Sequence, residues 1–168
     1  MKFENKIDCH THIVTKDIKE EYFSRTKGYA IVMEFLDKFI DCGFPDDSYN
    51  VVAGDDRMFF SPVIDLTKNI RKQLERIEKQ IDELRIVGIK IFLTYQSGKA
   101  DDEKLFPVYE FCKKYRLTVT YHTGSCALLL PSDNDIEGSN AIYVKNAALK
   151  FPEVNFVIAH MDDPRYNE

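Results

Sequence analysis

No apolar run in this 168-residue chain approaches the roughly 20 residues that a helix needs to cross a bilayer, so no membrane partner is expected. The opening MKFENKIDCH has neither an apolar core nor a small-residue cleavage site, which predicts that it is not a signal peptide. Lysine and arginine do not cluster, and the formal net charge is -5. A phosphate backbone rewards gathered cations, so a nucleic-acid partner is not expected either. Cysteine is sparse: Cys9, Cys42, Cys112 and Cys126 form no CxxC pair, which makes reduced thiols in a cytoplasm the simpler expectation. Cys9 and Cys126 read as buried structural thiols. There is no internal repeat, low-complexity tract or interdomain linker. Histidine is as scarce as cysteine, four in all, and its placement carries the reading.

What is present is the composition of a chain with its own core. Hydrophobic residues make up 44% and charged ones 30%, and the length suits one domain. Short strand-like runs alternate with helical patterns, as in a parallel α/β sheet rather than a sandwich or a bundle. Strands are predicted over 6–13, 58–66, 88–94, 117–122 and 154–160, near-continuously apolar as buried parallel strands are, with a weak sixth over 51–54. Helices are predicted over 70–84, where Ile70, Leu74, Ile77, Ile81 and Leu84 recur every three or four positions, and over 102–115 and 139–150. A further stripe of Val32, Leu36, Phe39 and Ile40 predicts a helix over 30–42, stopped by Gly43. The stretch GFPDDSYNVVAGDDR shows no full βα unit.

The histidines fall at strand ends: His10 and His12 on the first strand, His122 on the fourth clear strand, His160 on the last. Parallel strands of one sheet bring their carboxyl ends to one rim, where α/β active sites form. Side chains two apart on a strand share a face, so His10 and His12 can reach one point. Imidazole is a common zinc ligand, and catalytic zinc takes about three protein ligands with one position left for water. His10, His12 and His122 are therefore the expected metal ligands, and the expected cofactor is a divalent metal, zinc before others. Such a metal brings the pKa of bound water towards neutrality, which points to hydrolysis. A single histidine at a strand end is more often a hydrogen-bonded rim residue, and for His160 taken alone that reading stands.

Other residues extend the set. Asp8, one step deeper on the same face, is either an outer partner of an imidazole or a buried structural carboxylate. Asp65, closing FFSPVID, is a candidate ligand or general base, with a helix cap as the equal alternative. Asp162 and Asp163 read as loop structure. Lys90 is the odd residue of an apolar strand. It binds a substrate carboxylate or bridges two metals as a carbamate, unless its stem is buried and its amine simply reaches the rim. Tyr95 and Gln96 follow it and either line a substrate pocket or are ordinary loop residues.

In their order along the chain, IDCHTHI, VGIKIFLTYQ, LTVTYHTGS and PEVNFVIAHMDDP resemble the amidohydrolase superfamily of metal-dependent hydrolases, specifically its amidohydrolase-related group. The x-H-x-H element alone is moderately specific; the ordered set, spanning nearly the whole chain, is strong. The resemblance implies an α/β fold of the (β/α)8 TIM-barrel type with zinc or a similar divalent metal at its carboxyl rim. By position it implies His10 and His12 as first-strand ligands and His122 as the fifth-strand ligand. His160 matches the sixth-strand histidine, which binds a second metal or contacts substrate and activated water. Lys90 matches a fourth-strand lysine that some members carbamylate. His160 and Asp65 are thus the expected catalytic residues, and Lys90 and Tyr95 the expected substrate-binding ones.

Two departures bear on function. The aspartate that members carry on their eighth strand has no counterpart by position, and the chain is shorter than the roughly 200 residues of small barrels. The expectation is an incomplete barrel of about six strands: one metal-dependent hydrolase domain over 1–168 without its C-terminal βα units, either a fragment of a longer protein or a chain whose open edge something else covers, such as a second copy. The leading activity is hydrolysis of an amide, ester or lactone in a small-molecule substrate by metal-activated water. The alternatives are a decarboxylase on the same scaffold and a truncated metal-binding barrel without turnover. A phosphoesterase that opens with H-x-H would need another histidine soon afterwards, and none occurs before His122.

Overall fold

A computed structural model describes residues 4–124 and 135–162, so that Cys126 and Asp163 lie outside the described residues. Among the described residues six strands form two three-stranded sheets, each parallel within itself, ordered β1-β2-β3 and β4-β5-β6. The chain divides into two compact units, one comprising residues up to Val63 with Arg76–Val87, the other Ile64–Glu75 with Gly88 onward.

The first unit runs β1 (Glu4–Thr11), α1 (Lys16–Arg25), β2 (Lys27–Met33), α2 (Asp37–Asp41), α3 (Ser48–Val52) and β3 (Met58–Ser61). Ala30 and Val32 of β2 stand opposite Met58 and Phe60 of β3, and all four are buried. β1 is the outer strand, and its residues Lys6, Ile7, Asp8 and Cys9 are all exposed. That exposure corrects the expectation that Cys9 is a buried thiol: among the described residues, β1 pairs on one side only, with β2. Between Asp8 and Thr11 the register with β2 shifts, since Asp8 pairs with Ala30 but Thr11 with Val32. Three steps of β1 run against two of β2, the mark of a β-bulge, which re-aims side chains. Further down, a Cβ on Gly28 would lie 2.2 Å from the carbonyl oxygen of Lys6, so only glycine lets the two strands approach there.

The run predicted as one helix over 30–42 divides in two. Lys27–Met33 is strand β2, and only Asp37–Asp41 is helical. Val32, Leu36 and Phe39 keep helical spacing and are all buried, but Val32 is buried because β2 pairs on both sides. A short apolar run reads alike in a buried strand and a buried helix; partners elsewhere in the chain decide. Gly43 does end α2, in the left-handed region at φ 91°. The weak strand expected over 51–54 is instead the end of α3 and the turn after it. The sixth strand is β2.

The second unit carries β4 (Gly88–Phe92), α5 (Phe106–Tyr115), β5 (Thr118–His122), α6 (Ala141–Lys150) and β6 (Asn155–Ala159), with α4 (Ile70–Gln80) straddling the division. Leu74 and Ile77 of the α4 stripe are buried, and the helix ends at Gln80 rather than at Leu84. The three strands run in even register, Ile89 beside Val119 beside Phe156, and Phe92 beside His122 beside Ala159. Val108, Tyr109 and Cys112 of α5 are fully buried, as are Val119 and Tyr121 of β5. The Tyr109 hydroxyl hydrogen-bonds with the Tyr121 hydroxyl and donates to the Ala100 carbonyl. Burial pushes the Cys112 thiol up to about 12, which makes it inert. β6 is the outer strand, with Val157 and Ile158 exposed. Among the described residues no helix is long and apolar enough to cross a membrane.

Candidate functional site

In the first unit, His10 sits near the carboxyl end of β1 and His12 one residue past it. Their rings meet edge to face with centroids 5.5 Å apart. The Nδ1–H of His12 donates to the carbonyl of Met33, the last residue of β2, at 2.9 Å. A carbonyl can only accept, so Nδ1 carries a proton. The ring of Phe35 stacks on His12 at 4.3 Å and 10°. A backbone carbonyl that accepts from one ring nitrogen fixes the direction of the imidazole, as the outer partners of metal-ligating histidines do. The two adjacent imidazoles of His10 and His12 are donors of the type that a divalent cation takes.

Asp8 does not serve these imidazoles as an outer partner. Its Oδ1 accepts the backbone N–H of His10 at 3.2 Å and its Oδ2 accepts the Tyr22 hydroxyl at 3.3 Å. The bulge between Asp8 and Thr11 breaks the period-two alternation on which a shared face depended. Burial, and then the Asp8 charge, hold the Tyr22 phenol above its ordinary pKa.

Glu34, just past the end of β2, was not singled out by the sequence reading. Its Oε2 accepts the N–H of Val63 at 2.9 Å, with the Arg76 guanidinium 3.8 Å away. Burial pushes its pKa up, against the lowering effects of that N–H and of Arg76. The available signal was a lone carboxylate in the apolar run AIVMEFL; read as a helix, that run gave Glu34 no special place.

The second unit brings together Lys90, Tyr95, His122 and His160. Lys90 lies within β4, fully buried, its amine 4.8 Å over the Phe92 ring. Burial lowers its pKa to about 7. His122 ends β5 in an aromatic setting, with ring centroids 5.7 Å from Phe92, 5.3 Å from Tyr95 and 4.4 Å from His160. Tyr95 is buried in the short 3-10 turn after β4. His160 follows β6 with φ 67°, a backbone region that non-glycine residues enter at some cost and that clusters at functional sites. Burial, and then the charge of Lys90, lower the His160 pKa, which favours the neutral imidazole.

Asp65 is occupied within its own turn. Its Oδ1 accepts the Thr67 N–H at 2.9 Å and the Thr67 hydroxyl at 2.6 Å, and Lys68 lies 3.4 Å from its Oδ2. Burial raises its pKa, but Thr67 and Lys68 outweigh that and hold it below the ordinary value. The Gln96 amide spans two backbone groups, accepting from Leu66 N–H at 2.6 Å and donating to Ile64 C=O at 3.1 Å. Gln96 thus clamps two loops. Among the described residues of either unit, no three His, Cys, Asp or Glu side chains gather into a group that could hold a metal.

Solved structures share the fold. An uncharacterised TIM-barrel protein from Bordetella bronchiseptica is 18% identical with a TM-score of 0.64, over 89% of this chain and 52% of its own. A dihydroorotase from Campylobacter jejuni is 17% identical with a TM-score of 0.53, over 94% of this chain and 47% of its own. A uronate isomerase from Bacillus halodurans is 10% identical with a TM-score of 0.53, over 86% of this chain and 42% of its own. The chain spans about half the length of these structures. Its six parallel strands correspond to an incomplete barrel of the TIM type. No curated protein matches it. Residues 7–167 match the model of the amidohydrolase family, and the chain belongs to that family.

Proposed function

We propose that this chain carries the metal-binding and substrate-holding part of a hydrolase that cleaves an amide, ester or lactone bond in a small molecule. The observation that supports the proposal is the His12 imidazole, whose Nδ1–H donates to the Met33 carbonyl at 2.9 Å and is oriented by it. His10, with its ring beside it, is the second donor. His122 is the third by its position in the family's pattern alone. A divalent cation, zinc first, held by these residues would supply Lewis acidity towards the carbonyl and bound water.

The remaining roles belong to the chain's own side chains. His160, whose setting favours the neutral ring, accepts a proton from water at a ring nitrogen and returns it to the leaving group. Lys90 charges readily near pH 7 and pairs with a carboxylate of the substrate. Tyr95 supplies an apolar ring beside His122. Asp65 is held in its turn and serves the loop rather than the proton transfer.

The test uses the purified chain loaded with zinc or manganese, its metal content measured and a panel of amides, esters and lactones assayed. About one metal per chain and turnover of at least one class are expected. His12→Ala and His122→Ala each lose the metal. Bound metal with no turnover of any class would leave a metal-binding barrel without activity, and unchanged metal content in His122→Ala would remove that residue from the ligand set.

A further inference from the structure

The peptide joining Met33 to Glu34 has two jobs. Its carbonyl accepts the His12 Nδ1–H at 2.9 Å, and its N–H donates to the Ser61 carbonyl at 3.2 Å. The Glu34 side chain then turns back on the same segment, its Oε2 accepting the Val63 N–H at 2.9 Å. Pro62, between Ser61 and Val63, has no N–H to offer, so Val63 provides the first free backbone donor past β3. Glu34 thus grips the Ser61–Val63 segment at two points, once through its backbone and once through its carboxylate. Two bonds fix the plane of a peptide where one would leave it a hinge. On the other side, Phe35 is pinned as well: its N–H donates to Asp46 Oδ2 at 2.6 Å and its ring stacks on His12.

From this geometry we infer that Glu34 is a positioning residue for His12: its two-point grip on the segment after β3 fixes the Met33 carbonyl that sets the imidazole's tautomer and direction. Glu34 does not touch the imidazole; it acts through one peptide unit. A carboxylate suits the task because it accepts from Val63 while Arg76 balances its charge from 3.8 Å. Outer partners of this kind are worth roughly ten- to a hundred-fold in metal affinity in other proteins. The inference rests on the proposed role of His12 for its functional meaning, but not for its test.

The test reads the tautomer of His12 in chelator-treated, 15N-labelled full chain, from the ring nitrogen shifts above the histidine's pKa. The native chain is expected to show one tautomer, protonated at Nδ1. Glu34→Ala, and Glu34→Asp, whose shorter arm withdraws from Val63, are expected to show a mixture, while Glu34→Gln, which keeps an acceptor at the same reach, restores the single form. A purely structural role would lower the melting temperature without mixing tautomers. A single Nδ1–H form in the Ala or Asp variant, or a mixture in Gln, overturns the inference. Should the Ala variant not fold, the Asp variant decides alone. Because no metal is present, a failure here is distinct from a failure of the metal-binding reading, which the metal content reports.

Discussion

His122 and His160 meet with ring centroids 4.4 Å apart, projected from the carboxyl ends of the neighbouring strands β5 and β6. Two imidazolium ions at that separation would repel, and the buried amine of Lys90 adds a further cationic influence on His160. The second unit thus favours the uncharged form of His160 at this rim, a condition for accepting a proton near neutral pH.

Lys90 makes that rim costly at low pH. Its folded pKa of about 7 lies well below the ordinary lysine value of 10.5. Between those values the native chain holds fewer protons than the unfolded one, so stability is lost as pH falls from 10.5 to about 7, below which the full cost of the buried charge is present. Lys90→Met is expected to stabilise the chain, with a gain larger at about pH 6 than at about pH 10, read from urea midpoints at both. An equal gain at both would show that the buried amine is not what titrates.

The buried phenol pair of Tyr109 and Tyr121 predicts non-additive losses. Tyr109→Phe leaves the Ala100 carbonyl and the Tyr121 hydroxyl short of a partner, at a cost of about 1–3 kcal/mol. Tyr109→Phe with Tyr121→Phe is expected to cost less than the sum of the single changes, because neither phenol is then left stranded. Chemical denaturation of the four proteins closes the cycle; strict additivity would mean that the two hydroxyls do not interact.

Gly28→Ala places a methyl 2.2 Å from the Lys6 carbonyl oxygen, backbone against backbone. β1 must then move away from β2, so a loss of about 2 kcal/mol or more is expected, with faster amide exchange along β1. Unchanged exchange in β1 would show that the contact is not as close as described.

The outer strand β6 is uncharged from Asn155 to Ala159, with Val157 and Ile158 exposed by 44% and 37%. An edge without a charge or proline pairs readily with another strand. The chain is expected to self-associate as its concentration rises, and Val157→Lys to hold it monomeric, as followed by sedimentation velocity. Self-association undiminished by that change would place the contact elsewhere.

Much of the second unit was legible in the sequence because its signals are local. The α4 stripe, the apolar strands ending at Phe92, His122 and Ala159, and the placing of His122 and His160 at strand ends all follow from spacing a few residues long. Unit one was harder for a reason visible in AIVMEFLDKF. Its apolar residues satisfy a helix and a two-sided strand equally well, and misreading β2 as helix concealed Glu34. Asp65 offered two roles that differ only in what its carboxylate touches, and Thr67 and Lys68 occupy it.

The sequence by itself determined the family, the parallel α/β pattern and the four imidazoles at strand ends, since these depend on residue type and period alone. Only the tertiary structure decided that Asp8 turns to Tyr22, that Met33 sets the tautomer of His12 and that Glu34 grips the segment beyond β3. Each of those depends on a bulge or on a contact between residues more than ten positions apart in the chain, and neither leaves a periodic trace.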